Sequence, residues 1–393
     1  MRFMHVGDTH IGKVYKSDER NNDLKDVFKQ VVDSAINSRI DFIVHSGDLF
    51  NEGNPSLDSL LFVTDQLNKL REAKIKVFIV PGSHDVGMGE EESIIELFHR
   101  NGLLVNLASK NYVKKTDDSF TLKGENYQGA FVCGVQGKRS RVENEVFKKL
   151  KIEIDKTAFI KIFIFHHTIS ALGEQFKDLD MESLPKGFDY YAAGHWHGHR
   201  DNIPYDSGVI EYPGSTEYCD EKEIVDNPNR GYYIVEYNEK GIKNITYNLL
   251  KTREKEVLNI NADGKSAKTL EQEISSKLNV NDGKLLVIRL SGKLSGKVGE
   301  LNLPDIKKNA FSLGYSYVSI NTSKLYDKTE EIVNVEVEDI GKIEFEFLNK
   351  KGYNENEINL AKMLIEAVEN GENPDTIKTK AEKIFEEYDN KRN

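Results

Sequence analysis

A chain of 393 residues exceeds what one hydrophobic core organises, so two or three domains are expected. Charged residues at 30% and apolar residues at 38% exclude a chain disordered along its bulk. The formal net charge of −11 argues against a nucleic-acid binder, but residues 331–393 carry 16 Asp+Glu against 9 Lys+Arg, so the acidity gathers in the tail.

MRFMHVGD reads as a strand from residue 2, with no room for a charged and apolar leader, and no apolar run approaches the ~20 residues of a membrane span. Cys133 and Cys219 lie far apart and outside any CxxC spacing, which suits free thiols in a reducing cytosol. A cytoplasmic protein with no membrane contact is expected.

Strand patterns follow at 2–6, 41–45, 76–80, 129–135, 159–165, 189–193, 209–213 and 231–237. Between the first three lie apolar residues at helical spacing: Leu24, Val27, Phe28, Val31, Val32 and Ala35, then Leu57, Leu60, Leu61, Val63, Leu67 and Leu70. The alternation predicts an α/β fold with parallel βαβ units over about 1–250. A smaller α/β unit is expected over 251–330, with strands EVLNI, LLVIRL and YSYVSI and helices around 266–278 and 304–313. An acidic linker or edge strand at 331–352 leads to a helical hairpin at 353–393, broken at GENP. Such a hairpin cannot bury both faces alone, so it folds back on the body or docks on a partner.

Five segments place Asp or His just after a predicted strand: GDTH (7–10), GDLF (47–50), GSHD (82–85), FHHT (165–168) and GHWH (194–197). Ligand sites of open α/β sheets collect at the carboxyl ends of strands, so these residues are expected to converge. Asp8 with His10 and His195 with His197 are spaced to share one side of an extended chain, and Asp48 and His166 complete a mixed nitrogen and oxygen set. Such a set suits two divalent ions sharing a carboxylate, with Asp48, after Gly47, as the bridge. His45 reads as a core residue, and His167 and His199 as structural.

The ordered motifs D-x-H, GD, GSHD, H and GH-x-H resemble the calcineurin-like metallophosphoesterases. VHSGDLF (44–50), SLPKGFDYYAAGHWH (183–197), YPGSTEY (212–218) and RGYYIVEY (230–237) resemble, more narrowly, the nuclease of double-strand break repair, the Mre-eleven/SbcD family. The resemblance implies a metallophosphoesterase sheet core flanked by helices, a smaller capping domain, and a C-terminal helical hairpin that binds a Rad-fifty/SbcC-type ABC ATPase. It implies a nucleoid-associated homodimer acting on DNA as a 3′–5′ exonuclease and endonuclease. Two Mn2+ ions are implied, with Mg2+ or another divalent ion as substitutes: one held by Asp8, His10, Asp48 and His197, the other by Asp48, His166, His195 and the residue at 83. His84 matches the family histidine that stabilises the transition state or protonates the leaving oxygen, and Asp85 either orients it or stabilises its loop.

The family has Asn where this chain has Ser83, whose shorter hydroxyl reaches an ion only by a loop shift or through water, so weaker binding of the second metal is expected. Lys138, Arg139 and Arg141 in GKRSR offer phosphate contacts. Two other readings share the same residues: a phosphoesterase of small or cyclic nucleotides, and a scaffold weakened in catalysis by Ser83.

Overall fold

A computed structural model describes residues 1–327 apart from 16–17, 88–91, 117–118, 138–142 and 227–228. The basic loop, the acidic linker and the helical hairpin lie outside the described residues.

The chain opens with four parallel strands joined by helices: β1 (Arg2–Val6), α1 (Asp18–Asn37), β2 (Phe42–His45), α2 (Leu57–Glu72), β3 (Lys76–Ile79), α3 (Ile95–Arg100) and β4 (Val105–Asn106). It continues through β5 (Val113–Lys115), β6 (Phe120–Leu122), β7 (Glu125–Tyr127), β8 (Ala130–Val135), α4 (Glu143–Lys148), β9 (Leu150–Ile152), β10 (Ile160–His166) and β11 (Tyr190–Gly194). Then come β12 (Arg200–Tyr205), β13 (Gly208–Tyr212), α5 (Glu221–Asp226), β14 (Gly231–Asn238) and β15 (Gly241–Leu249). Two six-stranded sheets result, ordered β15-β14-β1-β2-β3-β4 and β12-β13-β11-β10-β8-β7.

Alternation along each strand sends every second side chain to one face. Phe3, Phe42, Val44 and Phe78 of the first sheet share a buried cluster with Val132, Ile162, Ile164 and Tyr190 of the second, so the sheets face each other across a dry core. The opposite face of the first sheet, with Met4, Val6, Ile43 and Val77, packs on Leu24, Val27, Phe28 and Val31 of α1 and Leu67 and Leu70 of α2. These are the residues whose helical spacing marks an apolar stripe. The sheet core is thus a sandwich of two six-stranded sheets. Strands such as IKIFIFH, buried on both faces, read as apolar runs whichever layer covers them.

Residues 255–326 add a parallel sheet of β16 (Lys255–Asn261), β17 (Leu285–Lys293) and β18 (Tyr317–Tyr326), with α6 (Ala267–Lys277) and α7 (Leu303–Ser312) between its strands. Ser266 and Asn302 cap these helices through side-chain oxygens that accept from the amides of Thr269 and Asp305. A forked ion pair ties this unit to α1: Arg253 Nε and Nη2 donate to the two carboxylate oxygens of Asp23 at 2.8 and 2.6 Å. No helix among the described residues is long and apolar enough to cross a membrane.

Candidate metal centre

Asp8 and His10 follow β1, Asp48 follows β2, and Ser83 and His84 follow β3, while His166 ends β10 and His195 and His197 follow β11. Within each sheet these strands run parallel, so their carboxyl ends share an edge. The edges of the two sheets meet. His10 Nε2 of the first sheet lies 3.0 Å from His197 Nε2 of the second, and Asp48 Oδ2 lies 3.1 Å from His166 Nε2. His195 Nδ1 is 3.3 Å from His166 Nε2, Asp8 Oδ1 is 3.8 Å from His197 Nε2, and Asp48 Oδ2 is 3.8 Å from His10 Nε2. Ligand atoms of Asp48, His166 and His195 all lie within 4.8 Å of one another, as do those of His10, Asp48 and His84. Asp48 is common to both groups.

Hydrogen bonds behind the pocket decide which atoms face it. His166 Nδ1 donates to the Ser46 carbonyl at 2.8 Å, which turns its Nε2 towards the pocket. Asp48 accepts the His84 amide on Oδ1 at 2.8 Å, while its buried Oδ2 has no hydrogen-bond partner. Asp48 Oδ2 and His166 Nε2, 3.1 Å apart, need a positive charge between them, which a proton supplies in the metal-free chain and a cation can replace. The residues therefore fit a divalent ion. Burial opposes charge on His166, yet Asp48 beside it carries the ring up to about 9. Burial likewise opposes charge on Asp48, and His166 nevertheless holds its carboxyl well below the usual range. Asp8, by contrast, is raised to about 6, chiefly by burial.

The backbone accepts unusual geometry to build this edge. Asp8, His10, Asp48 and His195 all have left-handed φ, at 50°, 45°, 54° and 80°. Gly82 is obligatory in another way: a Cβ there would stand 2.1 Å from Asp48 Oδ1. Asp85, fully buried, accepts from the amides of Gly82, Leu49 and Phe50 at 2.9, 3.2 and 2.8 Å, and so clamps the β2 and β3 loops together. His84 Nδ1 hydrogen-bonds to the Asn51 carbonyl at 2.8 Å, so of the two roles open for Asp85 the geometry supports loop stabilisation. Ser83 Oγ is buried and lacks a hydrogen-bond partner.

His45 is buried and contacts Thr9 Oγ1 at 3.2 Å, His167 is buried with its ring edge-on to Phe147, and His199 stacks on Tyr247, so all three are structural. Four contributors escaped the sequence reading. Glu223 Oε1 lies 2.6 Å from His197 Nδ1, Arg230 Nη2 is 3.2 Å from Glu223 Oε2, Asp178 Oδ2 lies 3.3 Å from His195 Nε2, and Cys219 joins His10 and His197 within 4.8 Å. None ends a strand, so the strand-end signal passes over them.

Residues 1–199 match the model of the calcineurin-like phosphoesterase family, and the chain belongs to that family, whose members use divalent metal ions. Within it the chain is similar to archaeal proteins named DNA double-strand break repair protein Mre11. That of Methanocaldococcus jannaschii is 33% identical over 247 residues, 61% of this chain and 63% of that protein. The Sulfolobus acidocaldarius protein is 29% identical over 74% of this chain and 75% of its own length, and the Saccharolobus solfataricus protein 26% identical over 95% and 96%. The match spans a little under two thirds of the Methanocaldococcus jannaschii and Methanococcus maripaludis proteins, 63% and 62%. The likeness is to an Mre11-type metallophosphoesterase.

Proposed function

We propose that this chain is a metal-dependent DNA nuclease of double-strand break repair, using two Mn2+ ions at Asp8, His10, Asp48 and His197 on one side and Asp48, His166, His195 and Ser83 on the other. The observation that carries this reading is Asp48 Oδ2, buried, without a hydrogen-bond partner, and faced by histidines of both sheets. Divalent ions bound there supply Lewis acidity to a phosphodiester and lower the pKa of water. The chain's own residues do the rest. Ser46 and Glu223 fix the ring orientations of His166 and His197, and Asp85 holds the loop that presents His84. With Nδ1 held by the Asn51 carbonyl, His84 keeps Nε2 to hold or deliver a proton at the leaving sugar oxygen.

Both 3′–5′ exonuclease and endonuclease action are part of the proposal, with Lys138, Arg139 and Arg141 on the phosphates and a Rad-fifty/SbcC-type ATPase bound through 353–393. A homodimer is supported by α2 and α3, where Leu57, Leu61 and Leu97 are 70%, 57% and 49% exposed. The test is Mn2+-dependent degradation of linear duplex DNA beside hydrolysis of a chromogenic phosphodiester. DNA cleavage falling at least about a hundredfold in His84→Ala, with metal binding retained, is expected. Hydrolysis of the small ester alone would instead make the chain a small-molecule phosphoesterase.

A further inference from the structure

We infer that Cys219 is a further metal ligand at the His10 and His197 end of the centre, giving it a sulfur donor and the capacity to hold a thiophilic divalent ion of the zinc class. The inference rests on the metal-centre reading and extends it to a residue type that hard-ion sites do not need.

Three observations converge. The Cys219 sulfur and ring nitrogens of His10 and His197 lie within 4.8 Å of one another, a span one ion can bridge. Cys219 is buried, at 7% exposure, and its thiol stands beside the His197 ring, with a further long contact of 3.6 Å to the Glu217 carbonyl. Glu223 then positions two of the three donors at once: its Oε2 accepts the Cys219 amide at 2.9 Å, and its Oε1 lies 2.6 Å from His197 Nδ1. That bond fixes Nδ1 on the carboxylate and turns His197 Nε2 away from it, the support a metal-bound imidazole requires. Ser215 Oγ donates to the same Oε2 at 2.9 Å, and Arg230 stands beside it at 3.2 Å, so the carboxylate has no freedom to turn away. The other cysteine, Cys133, sits in β8 in a cluster with Phe131, Phe163 and Phe165.

Coordination exchanges the thiol proton for the cation, with the proton released to solvent and no electron transferred. A thiolate added to the imidazoles of His10 and His197 and the carboxylates of Asp8 and Asp48 lets this end of the centre hold zinc or cobalt as well as manganese. The end built on Asp48, His166 and His195 has no sulfur within its ligand group and keeps the harder preference.

The test is titration of the full-length metal-free protein with Co2+. A thiolate-to-cobalt charge-transfer band in the near ultraviolet is expected beside the visible ligand-field bands, lost in Cys219→Ser with the visible bands kept, and retained in Cys133→Ser. Zn2+ affinity, read by competition with a chromogenic chelator, should fall at least about tenfold in Cys219→Ser, as loss of even an outer-shell partner does. Visible bands without the charge-transfer band in the unaltered chain overturn the sulfur ligand and leave the metal centre standing; no cobalt bands at all remove both. Should Cys219→Ser fail to fold, the band in the unaltered chain and its survival in Cys133→Ser decide the matter.

Discussion

Asp48 divides its two oxygens between the protein and the pocket, one taking an amide at 2.8 Å and the other left bare. Ser83, on the neighbouring loop, offers a second unpartnered oxygen on a shorter arm than an Asn carbonyl. Ser83→Asn should therefore move the Mn2+ midpoint for DNA cleavage down by about tenfold, the scale on which a ligand's reach is felt. Manganese titration of the rate, paired with calorimetric binding, checks it; an unmoved midpoint would show that position 83 contributes no donor. At this scale the sequence disclosed the residues that end strands. It was silent on Glu223 and Cys219, because their roles depend on α5 folding back under His197, a contact across 26 positions for Glu223.

The loops after β2 and β3 behave as one element because Asp85 joins them with three hydrogen bonds. Asp85→Ala leaves three buried amides without their acceptor, which should cost about 3 kcal/mol at 1–3 kcal/mol per stranded donor with partial recovery by water. Urea denaturation of the metal-free chain reads the loss, and Mn2+ affinity should drop with it; a loss confined to catalysis would return Asp85 to the role of orienting His84. Among the strands, β1, β2, β3, β8, β10, β11, β13 and β14 were legible from β-rich runs bounded by turn residues. The edge strands β12 and β15 were not: RDNIPY carries a proline and exposed polar residues, and GIKNITYNL alternates with little burial, so neither shows the apolar face a strand pattern relies on. The two- and three-residue strands β4, β5, β6, β7 and β9 are too short to hold a period at all.

For the whole molecule, the division of donors between two sheets matters more than their number. His10 and Asp48 stand on one layer and His166, His195 and His197 on the other, so an ion at the seam binds only when the layers are docked. Mn2+ at a hundred times its dissociation constant should add about 2.7 kcal/mol to the unfolding free energy, reversed by chelation, with the thermal midpoint as the measurement. A midpoint indifferent to manganese and to chelator would mean that the seam holds no ion. The sandwich itself was hidden in the sequence, since a strand buried on both faces does not say whether helix or sheet covers it.

The four left-handed positions at Asp8, His10, Asp48 and His195 carry an implication for how this pocket tolerates change. Asn, Asp and His are the side-chain-bearing residues that best accept that backbone twist, and the same three supply oxygen and nitrogen to cations. Two unrelated demands thus draw on one short alphabet. In an exhaustive library of single replacements selected for folding alone, survivors at these four places would be spelled in those letters and Gly, and selection for metal binding would then remove Gly.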